Sequence, residues 1–75
     1  MRKMSFKVGD IIQGRYALSI SNTDETDEES DKGDIFMVIE IDERQEGLEY
    51  KLIRQKSLKI SYWDMDWAQY NFNKV

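Results

Sequence analysis

The chain has 75 residues, the length of one small domain, and carries 15 acidic against 11 basic side chains, for a net charge of −4. It contains no cysteine and no histidine, which excludes disulfides, thiolate or imidazole metal sites and every catalytic triad that uses histidine. Its longest apolar run, residues 35–39, is far too short to cross a bilayer. We therefore expect a soluble cytoplasmic domain without membrane association, cofactor or enzymatic activity.

An acidic segment interrupts the first part of the chain. Residues 21–33 contain no apolar side chain, and residues 24–34 alone carry a net charge of −6, against +2 for the rest. Such a segment buries nothing that offsets the entropy of ordering it. We predict a mobile acidic loop over residues 22–32. A flexible N-terminus over residues 1–5 leaves residues 6–73 as the single domain.

Alternation of apolar and polar residues predicts short strands along the remaining chain. Five of them are expected in chain order, over residues 16–20, 34–43, 48–54, 58–63 and 68–72. Tight turns join the second to fourth strands, and one helical turn, with Asp64 as its N-cap, precedes the last. The side chains predicted to be buried are Ile35, Met37, Ile39, Ile41, Tyr50, Leu52 and Ile60.

Several stretches resemble small SH3-like barrel proteins that tailed bacteriophages encode. These stretches are Lys7-Val8-Gly9-Asp10-Ile11-Ile12, residues 32–41, residues 50–53 and residues 60–63. The resemblance implies an all-β fold, a small five-stranded SH3-like barrel with a long acidic loop after the first strand and a one-turn helix before the last. Residues 16–19 lack the Ala-Leu-Tyr-Asp-Tyr signature of eukaryotic peptide-binding SH3 domains, and the chain has no proline. This departure argues against recognition of proline-rich peptides.

Aromatic residues form the first candidate site, because four of them lie within residues 62–70. On the fourth strand Lys59 and Ser61 share one side with Trp63, which predicts that Trp63 points outward. Exposed aromatic side chains are frequent anchors of protein interfaces. The candidate partner-binding aromatics are therefore Trp63, Trp67 and Tyr16, and packing of the tryptophans in the core is the alternative.

Charged residues form the second candidate site. The acids of the predicted loop that could contact a partner are Asp24, Glu25, Asp27, Glu28, Glu29 and Asp31. They could dock on a basic protein, mimic a nucleic-acid backbone, bind a hard cation without EF-hand spacing, or simply be solvated. Arg54, Lys56 and Lys59 surround one hairpin tip, where they could contact nucleic acid or pair with nearby acids.

Together these features predict a non-enzymatic protein–protein binding or assembly module with a viral or host protein as its partner. The resemblance implies a phage virion or accessory protein, in the virion or the host cytoplasm. Two alternatives stay open. One is an acidic nucleic-acid mimic that inhibits a host enzyme, and the other is a nucleic-acid-binding small barrel, which the acidic balance disfavours.

Overall fold

A computed structural model describes residues 6–45 and 47–75 of the chain, and these residues are mostly β. The predicted all-β class is confirmed, with seven strands in place of five and a single short helix. The elements are β1 (Ile11–Gly14), β2 (Leu18–Ser21), β3 (Asp27–Ser30), β4 (Ile35–Arg44), β5 (Gly47–Arg54), β6 (Ile60–Asp64), α1 (Met65–Asn71) and β7 (Phe72–Lys74).

Five of the strands form one antiparallel sheet in the order β6-β5-β4-β1-β7. The two predicted hairpins, β4–β5 and β5–β6, are present, with Val38 opposite Leu52 and Tyr50 opposite Trp63. The edge strands β6 and β7 do not pair, so the sheet is open and not a closed barrel. Strands β2 and β3 form a separate hairpin.

The acidic segment contains a strand, so the prediction of a long loop without secondary structure over residues 22–32 is wrong. Its second half is β3, which pairs with β2 so that Ser30 lies opposite Leu18. The turn of this hairpin attaches to β6, because the Thr23 N–H donates to the Ile60 carbonyl at 2.8 Å. Contacts from elsewhere in the chain thus replace the apolar burial that the segment itself lacks.

In strand β4, even-numbered residues face the core in the first half of the strand and an odd-numbered residue faces it in the second half. Phe36 and Val38 are buried, whereas Met37 is 38 % exposed on the outer face. A bulge between Val38 and Glu40 then returns Ile41 to the inner side, opposite Tyr50. An extra residue in one strand shifts the alternation by one position, which explains why both parities of β4 contribute to the core.

The core differs in part from the predicted one. Its buried apolar members are Phe6, Ile12, Ile20, Phe36, Val38, Tyr50, Leu52, Trp63, Ala68 and Phe72. Tyr50 and Leu52 are buried as predicted, and Met37 is exposed. The rest of the predicted set is half-buried, namely Ile35, Ile39, Ile41 and Ile60. An uninterrupted apolar run carries no polar residue that distinguishes its two faces, so alternation alone could not assign them.

Trp63 lies in the core, so the prediction that it points outward is wrong. Its ring makes an edge-on contact with Phe72 at a centroid distance of 5.1 Å, and only 7 % of the residue is exposed. The indole N–H donates to the Ser61 hydroxyl at 2.8 Å. Ser61 is polar but buried, and this hydrogen bond is what allows it to share the inner side with the tryptophan.

Helix α1 begins as predicted but is longer than one turn. The Asp64 carboxylate accepts the Trp67 N–H at 2.9 Å, which confirms Asp64 as the N-cap. The helix continues to Asn71 over residues predicted as the last strand, and that strand is confined to Phe72–Lys74. Burial of Ala68 and Asn71, three positions apart, favours a helix because both side chains then face the core.

Candidate functional site

Three exposed aromatic side chains, Tyr16, Trp67 and Tyr70, form a continuous patch that we call the aromatic surface. The Tyr70 ring lies in the middle, with its centroid 6.0 Å from those of both Tyr16 and Trp67. The exposed fractions are 46 % for Tyr16, 58 % for Trp67 and 61 % for Tyr70. Contiguous exposed aromatics of this kind are frequent in protein interfaces.

The helix and one backbone hydrogen bond bring these three rings together. Trp67 and Tyr70 are three residues apart, so α1 presents them on one face. Tyr16 comes from the connection between β1 and β2, which is tied to the helix by the Arg15 N–H donating to the Asn71 carbonyl at 2.8 Å. Sequence reasoning selected Tyr16 and Trp67 but not Tyr70, because its role becomes visible only when the helix extends past one turn.

A groove of about 170 Å³ continues from the aromatic surface toward the β2–β3 hairpin. Its lining includes Trp67 and Tyr62, together with Ser19 and Ser21 of β2. The same two serines also line a second, larger depression of about 480 Å³ on the hairpin, together with Asp27 and Glu29. The aromatic surface therefore adjoins a polar and acidic part of the β2–β3 hairpin surface.

Glu28, one of the predicted surface acids, belongs instead to a largely buried ion network around Arg54. The Arg54 guanidinium donates to Glu28 at 2.7 Å and to Asp34 at 2.5 Å, and Arg54 is only 8 % exposed. Glu28 also accepts hydrogen bonds from Ser57 at 2.9 Å and from Asn22 at 3.1 Å. This network fastens the β2–β3 hairpin to the end of β5.

Two other predicted acids make ion pairs at the surface. Asp24 accepts from Lys59 at 3.0 Å, and Asp31 lies 3.9 Å from Lys56. Hydrogen bonds from the Thr26 side chain and from Lys59 lower the pKa of Asp24 to about 2. The sequence alternative in which the hairpin bases pair with nearby acids is thereby confirmed.

The remaining predicted acids, Glu25, Asp27 and Glu29, are exposed and make no ion pair with any residue that the structure describes. Asp27 and Glu29 lie on the outer side of β3, opposite Ser21 and Ser19. Over residues 6–45 and 47–75, no group of three or more acidic side chains converges in a way that could hold a metal ion.

The carboxyl groups of the Arg54 network have lowered pKa values. For Glu28, burial raises the pKa, but hydrogen bonds from Arg54, Ser57 and Asn22 together outweigh it. For Asp34, the Asp31 backbone N–H and then the Arg54 guanidinium lower the pKa. Carboxylates with a depressed pKa stabilise the fold above their unfolded-state pKa of about 4. That contribution is lost as the pH falls through the folded-state value.

We therefore expect the free energy of unfolding to be nearly level from about pH 7 to pH 5 and to decline below about pH 4.5. Urea unfolding at a series of pH values measures this. Glu28→Gln should lower stability at neutral pH and make the acid decline shallower, since one titrating group is gone. The matched control Glu29→Gln, on the exposed side of β3, should leave the profile unchanged. If stability falls equally at low pH in the wild type, Glu28→Gln and Glu29→Gln, the assignment of the acid decline to Glu28 would be contradicted.

Within the described part of the chain, no helix is both long and apolar enough to span a membrane. The only helix there, α1, has seven residues. Comparison with models of protein families, with curated proteins and with solved structures finds no match to this chain.

Proposed function

We propose that the chain is a non-enzymatic protein-binding or assembly module and that the aromatic surface is its contact site. The observation that carries the proposal is the contiguous, exposed arrangement of Tyr16, Tyr70 and Trp67, in which Trp67 stacks on Tyr70. Exposure of three large rings in contact is unfavourable for an isolated domain, and burying them against a partner would remove that apolar area from water.

We also propose that the fold is SH3-like. The layout that supports this has a hairpin after the first strand, a three-stranded meander from β4 to β6 and a short helix before β7, which pairs with β1. With the sequence resemblance, the proposal extends to a phage virion or accessory protein, in the virion or the host cytoplasm, whose partner is a viral or host protein.

The experiment is affinity capture from the native source with the wild-type protein and with the Trp67→Ser/Tyr70→Ser double variant. Because aromatic hot-spot residues contribute about 2 kcal/mol or more, about a thirtyfold loss of affinity is expected for the captured partner. Leu58→Ser is the control, since Leu58 is 71 % exposed and lies in the β5–β6 turn. Retention of the partner by the double variant, with the same thermal unfolding midpoint, would refute the proposal.

The two alternative functions receive less support. In the nucleic-acid mimic, the acids would have to be free, but Asp24, Glu28 and Asp31 are paired with bases of the same chain. In a nucleic-acid-binding barrel, the hairpin bases would have to reach phosphates, but Arg54 is buried. Fluorescence anisotropy with single- and double-stranded probes at low salt tests the second alternative directly.

A further inference from the structure

A small cavity lies between helix α1, strand β7 and the segment that precedes β1. Its volume is about 220 Å³, and its lining consists of Phe6, Arg15, Gln69, Phe72, Asn73 and Lys74. None of these side chains belongs to the aromatic surface or to the Arg54 network. Cavities for drug-sized ligands begin at about 300 Å³, so this one has room for a smaller molecule.

The floor of the cavity is formed by two aromatic rings of the core. Phe6 and Phe72 are buried, with 4 % and 1 % of the residue exposed. The Phe6 N–H donates to the Tyr50 hydroxyl at 3.1 Å, and the Phe72 ring makes edge-on contacts with Phe36 and Trp63. Both rings are therefore fixed by the fold itself, and an apolar group can bind against them without reorganising the protein.

The rim of the cavity carries a cation that no acidic side chain of the described chain neutralises. The Arg15 backbone N–H donates to the Asn71 carbonyl at 2.8 Å, and its side-chain Nε–H donates to the Phe72 carbonyl at 3.4 Å. Among residues 6–45 and 47–75, no carboxylate forms an ion pair with Arg15. The two terminal amino groups of its guanidinium are thus available as the planar pair of donors that suits a carboxylate.

The other polar side chains of the rim add hydrogen-bonding groups but little net charge. Lys74 lies 3.6 Å from the Asp10 carboxylate, so these two charges largely compensate each other. Gln69 and Asn73 contribute neutral amides. Arg15 therefore supplies the net positive charge of the cavity, which matches a ligand with one negative charge better than a dianion such as a phosphate ester.

We propose that this cavity binds a small organic monocarboxylate with an apolar body. The carboxylate accepts hydrogen bonds from the terminal amino groups of Arg15, and the apolar body lies on Phe6 and Phe72. This ligand chemistry has two sources, namely a free acid or the C-terminal carboxylate of a polypeptide that ends in an apolar residue. The inference goes beyond the proposed contact through the aromatic surface, because the cavity is lined by other residues.

Titration of the nitrogen-15-labelled protein with 3-phenylpropionate, followed by NMR, tests the proposal. The amide signals of Arg15, Phe72 and Asn73 should shift and saturate, with a dissociation constant on the order of 1 mM for a ligand of about eleven non-hydrogen atoms. Nuclear Overhauser effects should connect the ligand ring to the rings of Phe6 and Phe72. The uncharged 3-phenylpropionamide should bind about tenfold more weakly or worse, because it cannot form charge-assisted hydrogen bonds to Arg15.

Variants of Arg15 separate a two-pronged contact from general attraction of an anion. Arg15→Gln should weaken binding about tenfold or more, and Arg15→Lys should bind with intermediate affinity because it keeps the charge and loses the planar donor pair. Arg15 is exposed, so both variants should keep the wild-type circular dichroism spectrum. Lys59→Gln is the matched control, since it removes one positive charge next to β6 and should leave the affinity unchanged. Trp67→Ser/Tyr70→Ser should also bind the acid like the wild type, which keeps this outcome separate from that of the aromatic surface.

An acetylated tripeptide that ends in phenylalanine, used with a free carboxylate and as its C-terminal amide, distinguishes the two sources. Tighter binding of the free-carboxylate peptide than of 3-phenylpropionate identifies a polypeptide terminus as the ligand, and equal or weaker binding identifies a free acid. The proposal is overturned if 3-phenylpropionate and its amide bind equally, if the shifts do not saturate, or if Arg15→Gln leaves the affinity for the acid unchanged.

Discussion

Arg54→Ala should lower the free energy of unfolding by about 3–5 kcal/mol, because it leaves two carboxylates without their shared cation. Glu28 and Asp34 both bind this guanidinium, and neither the end of β5 nor the hairpin offers them another base at comparable burial. Lys56 approaches Asp34 only to 3.5 Å, from a side chain that is 64 % exposed. For a domain whose total stability is of the order of 5–15 kcal/mol, this loss is large.

Urea unfolding followed by circular dichroism measures the effect of Arg54→Ala. Lys59→Ala is the matched control, since it removes a cation from an ion pair of the same hairpin, but from an exposed one. It should unfold close to the wild-type midpoint. The variant Arg54→Met with Glu28→Gln and Asp34→Asn removes all three charges and should recover part of the loss. Equal destabilisation by Arg54→Ala and Lys59→Ala would contradict a dominant role for the buried network.

Trp63→Ala should be comparably destabilising, by about 3–5 kcal/mol, because it opens a cavity in the centre of the core. The indole packs edge-on against Phe72, which in turn packs against Phe36 at a centroid distance of 5.0 Å. The substitution also leaves the buried Ser61 hydroxyl without the N–H that it accepts. The void therefore removes the packing between β6 and β7 and leaves Phe72 supported by Phe36 alone among the core rings that it contacts.

The second tryptophan provides the control for this measurement. Trp67 is 58 % exposed, so Trp67→Ala should change the free energy of unfolding by no more than about 0.5 kcal/mol. Tryptophan fluorescence assigns the signals, since only the buried indole of Trp63 should shift to longer wavelength on unfolding. A small loss of stability for Trp63→Ala and a large loss for Trp67→Ala would contradict the burial assigned to the two residues.

The parts of the fold that local pattern determines could be predicted from the sequence. The β4–β5 and β5–β6 hairpins follow from alternation and turn residues, and the Asp64 cap follows from its position before the helix. The β2–β3 hairpin could not be predicted in this way. Its ordering depends on Arg54, which is 26 residues away from Glu28 in the chain, and such a contact has no local signature.

The candidate site was predictable in its composition and not in its geometry. Tyr16 and Trp67 are exposed, as a partner-binding surface requires, but Trp63 is not. The error arose because Ser61 indicated a solvent-facing side, while its hydroxyl in fact accepts the indole N–H. Ala68, Tyr70 and Phe72 alternate as a strand would, and only the burial of Asn71 reveals the helix that exposes Tyr70.

The bulge at Ile39 makes the residue count of β4 more important than the identity of its aliphatic side chains. Exchange among isoleucine, valine and methionine keeps each position apolar, whichever side it faces. If all residues of β4 paired regularly, without the bulge, Glu40 would lie opposite Tyr50, and Glu40 and Asp42 would both face the core. Tolerated variation along this strand should therefore consist of replacements and of loss of the bulged residue itself, while other insertions and deletions are confined to the ends of the strand.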